Sequence, residues 1–197
     1  MNLLFYICDK FNLLNNTLHF YRKHFIVIIG LGLIAAFGRV IQLEAFGQIA
    51  AWYNIVLEVV IESSRILLFL YVLGLANVKN GVIYAKHLFS NKYNRKASWS
   101  IAIHKLKKQW LSVFVSIIGF LLIAWCINYL IGLLAYETCL YLNLKNDGIL
   151  SQSSSEWTIL LFFKNLTVIP FTLIFDAILI LWLSNRLSKF GKITLAQ

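Results

Sequence analysis

Residues Leu111–Leu134 read LSVFVSIIGFLLIAWCINYLIGLL, without one charged side chain. A helix of about 20 apolar residues crosses the hydrocarbon core of a bilayer. Lipid offers no partner to free backbone N–H and C=O groups, so such a run spans as an α-helix rather than in open strands. Three more segments reach this length: about Phe25–Leu43, Ala50–Ala76 and Trp157–Leu183. The 197 residues are 60% hydrophobic and 13% charged, where a soluble domain carries about 25% charge. Once four spans are counted, no block is long enough for a soluble domain with its own core. The fold class is therefore all-α, a single polytopic membrane domain over residues 1–197 with four transmembrane helices. Enzymes that keep their chemistry in a cytosolic domain do not fit this composition.

Loop charges orient the spans. Between Asn77 and Trp110 stand Lys79, Lys86, Lys92, Arg95, Lys96, Lys105, Lys107 and Lys108, with no acid among them. The N-terminal arm adds Lys10, Arg22 and Lys23, and the tail adds Arg186, Lys189 and Lys192. The Ala135–Glu156 loop has Glu137, Asp147 and Glu156 against Lys145 alone. By the positive-inside rule both termini and the basic loop are cytoplasmic and Ala135–Glu156 is external. Trp52 and Trp157 then sit at outer ends and Trp110 and Trp182 at inner ends, with Trp125 in mid-span as the exception. The short EAFGQ turn makes the first two spans an antiparallel hairpin.

Two cytoplasmic pieces read as interfacial helices. Over Asn2–Leu14, Leu3, Leu4, Ile7, Cys8, Phe11 and Leu14 follow three-four spacing, and Asn15-Asn16 then offers a break with Asn16 capping the next helix. This start lacks a basic n-region and a small-residue cleavage site, so it does not read as a signal peptide. Before the third span, Trp99, Ala102, Ile103, Leu106 and Trp110 form an apolar stripe beside His104, Lys105, Lys107 and Lys108; Ser90–Ser98 reads as a turn.

Charges inside the spans demand partners. Glu58, Glu62 and Arg65 fall at i, i+4 and i+7, on one helical face. A charge at the bilayer centre costs about 2.5–3.5 kcal/mol, so this face meets protein or water. Measured from Trp52 and Trp157 at 1.5 Å per residue, Glu58 and Lys164 share a level about 9–10 Å deep. Arg65 has Glu62 at i−3, and Asp176 is its second candidate across a depth gap of about 9 Å. Arg39 lies near enough to its span's end to snorkel. The set Arg39, Glu58, Glu62, Arg65, Lys164 and Asp176 reads either as paired charges fixing helix register, as a hydrated path for ions or polar solutes, or as pairs across an oligomer. Pro170, the one proline, kinks the fourth span; with Lys164 and Asn165 it would also suit a broken helix lining a cavity. Gly30, Gly32, Ala35, Ala36 and Gly38 allow close helix approach, Gly32 and Ala36 as a small-xxx-small pair.

Catalysis finds no constellation. His19, His24, His87 and His104 are scattered, Cys8, Cys126 and Cys139 lack metal-ligand or disulfide-framework spacing, and nucleophile or phosphate-loop motifs are missing. No cofactor is implied. The partners expected are the bilayer, further copies of the chain, and a soluble protein with an acidic surface on Lys92, Arg95, Lys96, Lys105, Lys107 and Lys108. Those cations would also attract nucleic-acid phosphate, but the positive-inside rule and anionic lipid account for them first.

The favoured function is a non-enzymatic inner-membrane subunit that oligomerises and docks a cytosolic partner. A small channel or transporter is the alternative, and a toxin-immunity protein fits by size. In length and span layout, including the basic loop from Lys79 to Lys108, the chain resembles the four-span membrane subunit of Kiwa-type antiphage defence systems. That resemblance implies membrane surveillance during infection and assembly with a DNA-binding soluble effector.

Overall fold

Apolar runs bounded by turn-forming residues fold here into helices joined by tight turns. The computed structural model describes residues 12–90, 92–184, 186 and 187, with the side chains of 89, 90 and 92–99 outside that description. Among the described residues there are eight helices and no strand: α1 (Asn12–Lys23), α2 (Phe25–Gln42), α3 (Ala51–Leu73), α4 (Val78–Ser90), α5 (Lys92–Tyr136), α6 (Leu140–Asn146), α7 (Trp157–Leu166) and α8 (Val168–Leu183). Among the described residues three stretches are long and apolar enough to cross a membrane: Phe25–Gln42, Ser100–Tyr136 and Trp157–Leu183. At 23 residues, α3 is about 35 Å long, but Glu58, Glu62 and Arg65 set it apart. By contacts the chain divides into one unit of Met1–His24, Phe69–Leu122 and Leu173–Gln197 and another of Phe25–Leu68 and Ile123–Thr172.

The second unit is built on the hairpin of α2 and α3. Helix α2 closes with Glu44 N–H bonded to the Ile41 carbonyl and Ala45 N–H to that of Val40. Glu44 takes the left-handed conformation this ending requires, φ 57°. Small residues bring α2 against its neighbours. A Cβ on Gly32 would stand 3.4 Å from the Asn165 carbonyl oxygen and 3.5 Å from Pro170 Cγ, and one on Gly38 2.8 Å from Ile61 Cγ1. Ala35 and Ala36 are buried too. Thus the predicted small-residue stripe is occupied within the chain, except at Gly30, which meets open space.

Residues Ala135–Glu156, expected as a loop, contain α6 and give Ala135, Tyr141 and Leu150 to a core shared with Val40, Ala45, Ile131, Ile159 and Leu160. Ser151 ties this segment to the hairpin turn: its N–H donates to the Ala45 carbonyl and its hydroxyl to that of Glu44, each at 2.6 Å. Lys145, the segment's single cation, donates to the Tyr141 hydroxyl at 2.7 Å.

In the first unit, α3 turns into α4 with almost no space between backbones. A Cβ on Gly81 would lie 1.9 Å from the Leu70 carbonyl oxygen, so glycine is obligatory there. Tyr84 is buried, its hydroxyl donating to Ser184 Oγ, and Arg186 stacks 4.6 Å above its ring.

Three expectations are corrected, and a fourth is only partly covered by the described residues. The proposed Asn2–Leu14 helix lies outside the described residues up to Phe11, and the break expected at Asn15-Asn16 is absent: α1 runs through both and ends at Lys23. Thr17 supports it, bonding the Leu13 carbonyl at 2.9 Å from a fully buried position. The turn over Ser90–Ser98 is also absent, since α5 begins at Lys92. Polar residues there decorate a helix whose bend comes later, at Gln109 (φ −124°, ψ 26°). Finally, the fourth apolar stretch breaks at Thr167 (φ −122°, ψ −68°), three residues before Pro170. Pro170 therefore falls in the first turn of α8, where a missing N–H forfeits no helical bond.

Candidate functional site

Two polar clusters lie on α3. In the first, the α2–α3 hairpin sets Arg39 and Gln42, three residues apart on α2, against Glu58. The Glu58 carboxylate accepts from Arg39 Nη1 at 3.0 Å, Arg39 Nη2 at 3.3 Å and Gln42 Nε2 at 3.0 Å. Gln42 also accepts from Arg39 Nη1 at 2.8 Å and donates to the Asn54 carbonyl at 3.0 Å. Lys164, expected opposite Glu58, makes no ion pair among the described residues, and Arg39 does not snorkel away but is the partner. Charge-assisted and bidentate, this is the strong kind of hydrogen bond.

In the second cluster Arg65 Nη1 donates to Glu62, one turn back on its own helix, as its i−3 spacing predicts. Arg65 Nη2 donates to Asn165 Oδ1 at 2.7 Å, and Asn165 Nδ2 donates to the Leu161 carbonyl at 2.8 Å. Asn165 is 2% exposed and stands two residues before the break at Thr167. Sequence reasoning grouped Asn165 with Lys164 and Pro170 as a helix break but did not name it as the arginine's acceptor. The available signal was an amide in an apolar run. Arg65 Nε is buried without a partner among the described residues. Asp176, the other expected partner, belongs to the first unit, is exposed, and forms no ion pair among the described residues.

Although paired, the carboxylates are not enclosed. The side chain of Glu58 is 48% exposed and that of Glu62 46%, against 24% for Arg39 and 21% for Arg65. Round the helix at 100° per residue, Glu58, Glu62, Ile55, Ile66 and Val59 follow one another. The three apolar members of this face are exposed as well.

The basic stretch is less uniform than its sequence. Lys105 turns inward, its ammonium 2.6 Å from the Trp182 carbonyl and 4.3 Å from the centre of that indole. That carbonyl lies in the last turn of α8, where a cation complements the helix dipole. Lys105 is thus withdrawn from the predicted docking face, while Lys107 and Lys108 are exposed. Lys92, Arg95 and Lys96 lie on the first turns of α5, their side chains outside the description.

At the α1–α2 junction His24 Nδ1 and the Tyr71 hydroxyl are 3.0 Å apart, and the His24 ring packs on Phe20 at 4.5 Å between centres. Burial first, then Lys23 and His19, holds the His24 pKa below its ordinary 6.5. No three His, Cys, Asp or Glu side chains converge as metal ligands among the described residues. Comparison with protein-family models, with curated proteins and with solved structures finds no match to this chain.

Proposed function

We propose that this chain is a non-enzymatic, multi-pass subunit of a bacterial inner-membrane complex. In this reading α3 is the fourth span, both termini are cytoplasmic, and a second copy of the chain covers the carboxylate face of α3. One observation carries it: Glu58 and Glu62 are each ion-paired within the chain yet about half uncovered. Pairing removes net charge and lets α3 enter the bilayer, because Arg39 against Glu58 and Arg65 against Glu62 leave no formal excess. Half-exposed carboxylates facing acyl chains would still be costly, as charged groups at membrane depth belong against protein or water. The surrounding Ile55, Val59 and Ile66 favour protein over a water-filled path.

A soluble partner with an acidic surface would dock on the cytoplasmic start of α5, at Lys92, Arg95 and Lys96. Resemblance to Kiwa-type membrane subunits in length and span layout supports antiphage defence as the process. The test is a cysteine at Ile55 in a cysteine-free chain, oxidised in native membranes. Disulfide-linked dimers from Ile55→Cys, and none from Ile26→Cys on the exposed side of α2, are expected. Monomers in both, together with ion or solute flux through reconstituted liposomes, would replace this reading with a channel or transporter.

A further inference from the structure

We infer that the uncovered face of α4 and of the Ile101–Lys108 stretch of α5 is a docking surface for an anionic lipid leaflet. Both segments belong to one unit, and each has one side packed and the other free. Reading round α5 at 100° per residue, Leu106, Ile103, Lys107, His104, Lys108 and Ile101 form a continuous exposed arc. Lys105 and Ala102 close the circle and are partly buried, Lys105 on Trp182. On α4 the exposed arc runs Val82, Lys86, Lys79, Ile83, His87, while Gly81 and Tyr84 are buried.

The interleaving of cations with bulky apolar side chains decides the occupant. An acidic protein surface would answer the lysines and leave the isoleucines without a partner. A leaflet answers both, with anionic headgroups above an acyl boundary in which the apolar side chains and lysine stems lie. Position points the same way. Past the bend at Gln109, α5 continues into the apolar stretch that is long enough to cross a membrane. The amphipathic half is thereby tethered at the membrane's edge, where a soluble partner must compete with lipid at very high local concentration.

This inference rests on the membrane reading, and the experiment separates the two. A cysteine-free chain receives one fluorophore at Ile103, Ile83 or Leu121. It is reconstituted in equal amounts of phosphatidylcholine and phosphatidylglycerol, with brominated acyl chains on one lipid or the other. Leu121 is exposed on the apolar part of α5 and must be quenched by both lipids; failure there sinks the membrane reading itself. The Ile103 and Ile83 labels should be quenched by lipid, with phosphatidylglycerol enriched about fivefold around them, the factor for one juxtamembrane cation. Enrichment should vanish in the Lys79→Gln, Lys86→Gln, Lys107→Gln, Lys108→Gln variant, while Leu121 quenching persists and shows that the variant is inserted. Equal quenching by the two lipids would overturn the proposal. So would labels quenched by aqueous acrylamide and not by lipid, an outcome that returns the face to a soluble protein.

Discussion

Gly38 and Ile61 form a lock whose failure should be repairable from the other side. A Cβ on Gly38 would stand 2.8 Å from Ile61 Cγ1 and 3.2 Å from its Cδ1, closer than carbon atoms tolerate. Ile61 is fully buried. Gly38→Ala should gain up to about 1 kcal/mol of helix propensity but lose about 1–3 kcal/mol to overpacking, a modest net loss. Ile61→Ala should cost about 2–5 kcal/mol, from lost burial and the cavity left behind. Combined, the added methyl enters the space vacated by both offending carbons. The double variant should therefore be more stable than the sum of the singles by about 1 kcal/mol or more, a coupling typical of touching residues. The assay is thermal unfolding of the purified protein in one detergent, followed by tryptophan fluorescence. Additive losses would mean that these residues do not touch, and the register that brings Arg39 to Glu58 would fall with them.

Arg65→Met should destabilise by about 3–5 kcal/mol by leaving Glu62 unpaired, and the pair replacement Arg65→Met with Glu62→Leu should recover most of it; equal loss in both would exclude the pairing. Gly81→Ala places a methyl 1.9 Å from the Leu70 carbonyl oxygen and should cost more than about 3 kcal/mol. Gly132→Ala meets nothing within 4 Å and should gain about 0.5–1 kcal/mol, so opposite signs in one melting assay are the check. For His24, whose pKa is lowered on docking, the free state binds protons more readily. Docking of α1 is therefore strongest above the ordinary 6.5 and weakens as pH falls from there toward the lowered value. Hydrogen exchange of Asn12–Lys23, corrected for intrinsic rates, should quicken from pH 7.5 to 5.5 in the native chain and not in His24→Gln.

Elements made by apolar length were legible in the sequence. The starts and ends of α2 and α3 match the expected segments within a few residues because turn chemistry brackets them: EAFGQ before α3, Gly74 and Asn77 after it. Segments governed by tertiary packing were not. Asn15-Asn16 reads as a cap by local preference, yet Thr17 and Leu13 are buried and hold α1 through it. The Ala135–Glu156 stretch reads as a loop because charges, serines and Gly148 cut its apolar runs too short to make a span. Its structure comes instead from a few spaced apolar residues, Tyr141 and Leu150 among them, that join a core contributed by other helices.

Charge partners expose the limit of depth as a guide. Equal depth below two tryptophans pointed Glu58 to Lys164, but depth fixes one coordinate and neighbour order fixes the other. A five-residue turn already made α2 the neighbour of α3. Counted from that turn, Arg39 stands about 5 Å inside the end of α2 and Glu58 about 10 Å inside the start of α3. An arginine side chain bridges that difference, and Gln42, one turn closer to the end, fills the gap. Hairpin connectivity by itself thus selects Arg39 as the partner of Glu58. No such rule reaches Asn165, which follows Arg65 by 100 residues. Its selection depends on α2 packing along α7 through Gly32, a contact between backbones that leaves no trace in charge or periodicity. The ion pairs on α3 therefore differ in kind. The pair with Arg39 is specified by local chain geometry and should form as the hairpin forms, whereas the bond from Arg65 to Asn165 requires the fourth apolar stretch to be in place. A chain truncated after Tyr136 would keep the first and lose the second.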